Sequence, residues 1–275
     1  MKNPPPGPFR QWFANRNRLS FSTRPLLNVS VCLSSCPIIL FLLLALSSTV
    51  AAKTTLTVAA AADLAALEAP LAAAFGSAHP DVSITWVTAA SGVLSQQIQN
   101  GAPYDVFLSA NEAFVAKLVS SGKVVPSSVA VYATGRLGVL WKDGKSHPLS
   151  DLTQNWVRYL ALPNPKLAPY GAAAVQALQH DGLWSELQNR IVYAENVRET
   201  LEIFESGNAD AVITAASLLR GKHAEFIPDS WHQPIRQEAA VVAGSARAQT
   251  ATAFVNFLKS SAGQAVFARF GFGHS

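Results

Sequence analysis

The sequence predicts an α/β protein built on a largely parallel sheet. Short apolar strands alternate with amphipathic helical patterns along the chain, which is typical of this class. About half of the 275 residues (49%) are apolar, enough for a sizeable core. The length suits two small domains or one large one, and no internal repeat is visible.

The positive charge is confined to the start of the chain. The formal net charge is +4, but residues 1–52 hold five basic side chains and no acidic one. Without them, 16 Lys and Arg face 17 Asp and Glu, so the remainder is close to neutral. The basic isoelectric point is therefore no evidence for a nucleic-acid partner, and we expect none.

Residues 1–52 are predicted to be a signal peptide. Basic residues end at Arg24, a dense apolar run follows at 38–46, and the small residues Val50 and Ala52 suit signal peptidase. Lys53 would then begin the mature, periplasmic protein. A membrane anchor is the alternative, but the run is shorter than the roughly 20 residues that a span needs.

Both cysteines, Cys32 and Cys36, lie in this leader. The mature chain would contain no cysteine, which excludes disulfides, thiolate catalysis and cysteine metal sites. Both residues precede the apolar run, so we expect no lipid attachment.

The first half of the mature chain alternates strand and helix. The predicted strands are 54–59, 82–87 and 104–109. The helices between them carry Leu64 to Phe75, then Leu94 and Ile98, then residues 114–119, with apolar residues three and four positions apart.

A new unit is predicted to begin near Val131, and a final pair of amphipathic helices closes the chain. The predicted strands of this part are 136–141, 159–162, 191–194, 211–214 and 238–242, and the predicted helices are 171–180, 183–190 and 198–205.

Four predicted strands end in small or turn-forming residues directly before a helix. A helix start leaves up to four backbone N–H groups unpaired and carries partial positive charge, so several such starts aimed at one point can bind an anion without a cation. Every α/β protein has turns of this kind, so the pattern alone leaves both interpretations open. The four turns are 60–63, 89–92, 169–171 and 195–198.

The mature chain resembles the periplasmic molybdate-binding proteins of ABC importers from about Thr54 to Phe272. The resemblance rests on TVAAAADL at 57–64, SGVL at 91–94, GAPYDVFLSA at 101–110, and NP…PYG at 164–171. It continues with ENVR at 195–198 and FARFGF at 267–272.

This resemblance implies a two-lobed fold with two chain crossovers that closes like a hinge on its ligand. Residues 53–131 and 235–275 would form lobe one, and residues 132–234 lobe two. By position, the oxyanion contacts fall on Ala62, Asp63, Ser91, Tyr170 and Val197. The implied function is capture of molybdate or tungstate, by a monomer without cofactor, for the membrane permease of an ABC importer.

Two positions depart from better-known members of this family. Asp63 stands where many have serine, and Ala215 where some have a ligand-contacting tyrosine. We expect the Asp63 side chain to turn away and cap its own helix, because a carboxylate repels a dianion. The alternative is an inward carboxylate that accepts a proton from phosphate. Arg198 is expected to point away and pair with a carboxylate.

Three other classes of protein fit the sequence less well. A hydrolase would use Ser91 as nucleophile, but its flanks are not G-x-S-x-G and the six histidines form no motif, so we expect no enzyme. A cation carrier would need clustered His or carboxylates. A cytoplasmic anion-sensing regulator would need a DNA-binding segment, and would not have a leader. Sulfate or phosphate remains the alternative ligand.

Overall fold

The computed structural model describes residues 53–274, and the predictions for the leader and its cysteines lie outside these residues. The described part contains two five-stranded sheets. The strands are β1 Thr54–Ala61, β2 Val82–Ala89, β3 Val106–Ser109, β4 Ala130–Gly135, β5 Leu137–Trp141, β6 Leu160–Pro163, β7 Ile191–Ala194, β8 Ala211–Ala215, β9 Glu225–Phe226 and β10 Ile235–Val241.

Helices connect these strands and confirm the predicted α/β class. The α-helices are α1 Glu68–Gly76, α2 Ser91–Gln99, α3 Glu112–Ser120, α4 Pro169–His180, α5 Trp184–Leu187, α6 Val197–Glu205, α7 Ala248–Lys259 and α8 Ser261–Arg269. The 3₁₀ helices are Ala62–Leu67, Pro126–Ser128, Leu149–Thr153, Gln188–Arg190, Ala216–Leu219 and Asp229–Trp231.

The two sheets share one pattern of strand directions. The first sheet has the order β2-β1-β3-β10-β4 and the second β7-β6-β8-β5-β9. In each, three strands run parallel and the last two pairings are antiparallel. The prediction of a largely parallel sheet was therefore wrong for half of the pairings, because β10 and β5 enter their sheets from the opposite direction.

Strand β4 was not predicted, and it bears on where the chain passes between the sheets. It pairs with β10 up to Gly135, whereas β5, from Leu137, pairs with β8 of the second sheet. Residues 132–135 therefore belong to the first sheet, although the proposed lobe boundary lies before them. The return crossing precedes Ile235, where β10 begins.

Helices cover both faces of each sheet. On the first sheet, Phe75 of α1 packs with α7 and α8 in one apolar cluster, while Leu94 of α2 packs with α3 in another. On the second, Leu178 of α4 and Leu201 of α6 occupy opposite faces. Full burial of such a side chain stabilises the folded state by about 1.5–3 kcal/mol. These apolar clusters therefore stabilise both sheets and the helices packed on them. Within residues 53–274, no helix is both long and apolar enough to span a membrane.

Candidate functional site

The carboxyl ends of parallel strands from both sheets meet around one small cavity. Its lining comes from the residues that follow β1, β2 and β3 in the first sheet and β6 and β7 in the second. These residues are Ala61, Ala62, Asp63, Ala90, Ser91, Ala110, Ala168, Pro169, Tyr170, Asn196 and Val197.

All five residues predicted to contact the ligand line this cavity, although their contact with a ligand stays a prediction. Ligands of open α/β sheets bind outside the carboxyl ends of the strands, and the cavity is in that position. The residues are Ala62, Asp63, Ser91, Tyr170 and Val197.

Ser91 is the first residue of α2, and its side chain is buried. Its hydroxyl oxygen accepts a hydrogen bond from the backbone N–H of Ala110, at 3.0 Å. The helix has Ala90 at its N-cap and no side-chain cap, so Ser91 is not a capping residue. Within residues 53–274 its hydroxyl proton has no acceptor, so Ser91 retains a donor for a ligand.

Helices α4 and α6 present two further N-termini to the cavity. Tyr170 follows Pro169, a residue that suits the first turn of a helix because proline lacks an N–H. At α6, the side-chain oxygen of Asn196 accepts from the N–H groups of Arg198 and Glu199, at 3.0 and 3.1 Å. The backbone N–H groups of Tyr170 and Val197 have no acceptor among the described residues.

The side chain of Asp63 does not form the predicted helix cap. The 3₁₀ helix 62–67 begins without a side-chain cap, and the buried Asp63 carboxylate binds residues distant in sequence. Its Oδ2 accepts from the hydroxyl of Tyr170, at 2.9 Å, and from the amide of Gln237, at 2.8 Å. These two donors compete successfully with the local N–H groups, so the prediction was wrong.

Gln237 and Tyr132 complete this buried polar cluster, and sequence reasoning missed both. The Tyr132 hydroxyl donates to Oε1 of Gln237, at 3.1 Å. Burial raises the pKa of Tyr132 and of Tyr170 well above the ordinary tyrosine value, so both remain protonated donors. Gln237 lies between Arg236 and Glu238, and the available signal was the alternation of β10, which places Gln237 on the same buried face as Ile235 and Ala239.

Direct hydrogen bonds join the two halves of the molecule beside the cavity. The backbone N–H of Gly92 in α2 donates to the carbonyl of Leu167, before α4, at 3.0 Å. The Ser217 hydroxyl donates to the backbone carbonyl of Asp63, at 2.7 Å. A Cβ at position 92 would lie 2.9 Å from the Leu167 oxygen, so only glycine allows this approach.

Arg198 lies outside the cavity lining, as predicted. Its Nε is 3.0 Å from Oε1 of Glu202, one turn along α6, and its side chain is 62% exposed. Ala215 is buried at the end of β8 and does not line the cavity. Among the described residues, no three His, Cys, Asp or Glu side chains are grouped to hold a metal ion.

The cavity therefore offers neutral donors, and its lining includes no Lys, Arg or His. Unpaired N–H groups at helix starts and one hydroxyl suit an anion that only accepts hydrogen bonds. Hydrogen bonds to a charged group contribute about 1.5–3 kcal/mol each, so several together can offset desolvation of a small anion. The arrangement can thus bind a compact oxyanion.

Comparison with known proteins assigns the chain to a family. A family model described as bacterial extracellular solute-binding protein matches residues 56–273. The molybdate-binding protein ModA of Rhodobacter capsulatus is 31% identical over 195 residues, which cover 69% of this chain and 77% of the relative. ModA of Azotobacter vinelandii is 34% identical over 193 residues, 66% of this chain and 76% of that protein.

A solved structure confirms the predicted two-lobed architecture. The periplasmic molybdate-binding protein of Azotobacter vinelandii superposes with a TM-score of 0.76 at 30% identity. The alignment covers 80% of this chain and 99% of that structure. The resemblance inferred from six short motifs thus extends to the three-dimensional fold.

Proposed function

Because the chain belongs to the bacterial extracellular solute-binding proteins, we propose that it captures molybdate, and the similarly sized tungstate, for an ABC importer. Its relatives with 31% and 34% identity carry the name molybdate-binding protein. The binding protein would act as a monomer without a cofactor. Its protein partner would be the membrane permease of the importer.

One observation carries this proposal: the cavity between the two sheets is lined by helix starts and lacks a cationic side chain. Molybdate is a dianion at neutral pH and accepts hydrogen bonds only. The N–H groups of Tyr170 and Val197 and the hydroxyl of Ser91 would donate to its oxygens, together with backbone N–H groups at Ala62 and Asp63. Molybdenum would be present only inside the oxyanion, with no direct bond to the protein.

We propose no catalytic role for Ser91. A nucleophilic serine needs an adjacent base, and the residues that line the cavity include no histidine. The Ser91 hydroxyl instead accepts the N–H of Ala110, which fixes its orientation for donating a hydrogen bond. An absence of ester turnover by the purified protein would agree with this assignment.

Sulfate and phosphate are the alternative ligands, and calorimetry with a panel of oxyanions distinguishes them. We expect tight and nearly equal binding of molybdate and tungstate, with sulfate much weaker because its frame is smaller. Molybdate at 100 times its Kd should stabilise the protein by about 2.7 kcal/mol. Tight phosphate binding with no response to molybdate would overturn the proposal.

The proposed role also requires export, with cleavage of the leader before Lys53. N-terminal sequencing of protein recovered from the periplasm should begin at or near Lys53. Recovery of soluble protein that retains Arg24 would contradict cleavage at this site. A variant with the small residue Ala52 replaced by Arg should accumulate uncleaved, because signal peptidase requires a small residue there.

A further inference from the structure

The carboxyl group of Asp63 is buried beside the cavity with an incomplete set of partners. The residue is 1% exposed. Its Oδ2 accepts hydrogen bonds from Tyr170 and Gln237, whereas its Oδ1 is buried and has no partner within residues 53–274. An ionised carboxylate would therefore hold an oxygen with negative charge and no donor in a dry environment, which is energetically unfavourable.

Among residues 53–274, no cationic side chain compensates this charge. The titratable groups that face Asp63 are Tyr170 from α4 and Tyr132 from β4, both neutral. Strands β1 and β2 and the 3₁₀ helix 216–219, which pack against its helix, carry no titratable side chain.

Charged residues on the other neighbouring elements have partners of their own. Glu68 of α1 accepts from Thr88, and Glu199 of α6 accepts from Asn196. The remaining pairs are Arg198 with Glu202, Lys222 with Glu205, and Arg236 with Glu112. Glu238 of β10 is half-buried, and its pKa is raised by burial and by the neighbouring Glu112, whereas Arg236 lowers it.

Burial raises the pKa of Asp63 to about 7, against the lowering effects of the Tyr170 hydroxyl, the backbone N–H of Asp63 itself and the Gln237 amide. Asp63 lines the cavity proposed for the oxyanion. A dianion there would disfavour the ionised carboxylate further, because like charges at short distance raise the pKa of an acid. Without ligand, the carboxyl is thus largely ionised above pH 7, and with ligand it is protonated well above pH 7.

We propose that binding of the dianion is coupled to protonation of Asp63, so that each captured oxyanion takes up as much as one proton from solvent. This inference rests on the proposed function. The proton forms an O–H bond at Oδ1, the oxygen without a partner, and returns to solvent when the ligand leaves. Molybdate brings no proton of its own at this pH, whereas hydrogen phosphate does and would bind with less uptake.

Calorimetry of the exported protein with sodium molybdate tests the coupling. Titrations at pH 8 in two buffers with different ionisation enthalpies should give different observed heats, corresponding to uptake approaching one proton per ligand. Between pH 8 and pH 9 the Kd should rise by close to tenfold per pH unit, the slope for one coupled proton. Asp63→Asn and Asp63→Ser, which cannot ionise, should bind without buffer-dependent heat and without this slope.

Glu68→Gln is the matched control, because it removes a carboxylate from the adjacent helix α1 and should retain the slope. Wild-type protein that binds molybdate with equal Kd from pH 7 to pH 9 and no proton uptake would overturn the coupling, but not the proposed function. Loss of the slope in Glu68→Gln would also overturn it, because the proton would then belong to another group. Wild-type protein that binds no molybdate at any pH would refute the proposed function, and the coupling with it.

Discussion

Replacement of Gly92 by alanine should weaken ligand binding while the protein stays folded. A Cβ at this position would lie 2.9 Å from the carbonyl oxygen of Leu167 and 3.2 Å from the ring of Phe114. The Leu167 contact joins α2 to the segment before α4, and therefore the two halves of the molecule. Because the proposed ligand must enter a cavity between these halves, they must separate and close again, and the added methyl group hinders closure.

The magnitude follows from two contributions. Overpacking a tight contact costs about 1–3 kcal/mol. The hydrogen bond from the N–H of Gly92 to Leu167 would be stretched, at a cost of about 0.5–1.5 kcal/mol. A combined cost of about 1.5–4.5 kcal/mol corresponds to a Kd that is about tenfold to two-thousandfold higher. Alanine also favours the helix by about 1 kcal/mol, but this gain is common to the open and closed forms and cancels in the affinity.

Calorimetry with molybdate gives the Kd, and thermal unfolding without ligand reports on folding. Gly76→Ala is the matched control, because Gly76 also lies in a helix and a Cβ there would meet nothing within 4 Å. It should bind like wild type. Wild-type affinity in a folded Gly92→Ala protein would refute the argument that this contact limits closure.

Three further predictions concern single side chains at or near the cavity. Ser91→Ala should raise the Kd for molybdate by about ten- to a hundredfold, because one hydrogen bond to a charged ligand is lost, whereas Ser95→Ala on the same helix, measured in parallel, should not. Arg198→Ala should retain molybdate affinity in the same titration, because the Arg198 side chain is 62% exposed and paired with Glu202; complete loss of binding with intact folding would contradict this. The pKa of Asp63 is raised to about 7 in the folded state. The folded state therefore binds the carboxyl proton more tightly than the unfolded state does. As a result, stability falls as the pH rises through the window from about 4 to 7. Between pH 5 and pH 8, wild type should therefore lose about 3 kcal/mol of unfolding free energy relative to Asp63→Asn, measured by urea denaturation without ligand; equal losses in both proteins would show that Asp63 is not this group.

Local sequence patterns predicted most of the helices and the strands that run parallel. They failed for β4, whose partner β10 lies about a hundred residues further along the chain, so no local pattern reports the pairing. The start of β10 was placed too late for a related reason. Gln237 is polar, and its burial makes sense only once Asp63 and Tyr132 are known to lie against it.

The cavity lining could be predicted because it follows a rule of the fold. Turns at the carboxyl ends of parallel strands converge, and family resemblance selected which turns matter. The orientation of Asp63 could not be predicted, because its partner Tyr170 lies 107 residues away in the chain. An aspartate at a helix start usually caps that helix. In this protein the Asp63 carboxylate instead accepts hydrogen bonds from Tyr170 and Gln237.

The cavity lining contains no Lys, Arg or His, and this has a consequence for the ionic conditions under which the protein can work. A pocket built from lysine and arginine would hold counter-ions that a ligand must displace, and dissolved salt would compete for it. Backbone dipoles in a closed cavity carry no such ion atmosphere, and mobile ions screen them little. The affinity for the oxyanion should therefore change little between dilute buffer and brine, and selection should rest on donor geometry and size rather than on competition among the anions of the medium.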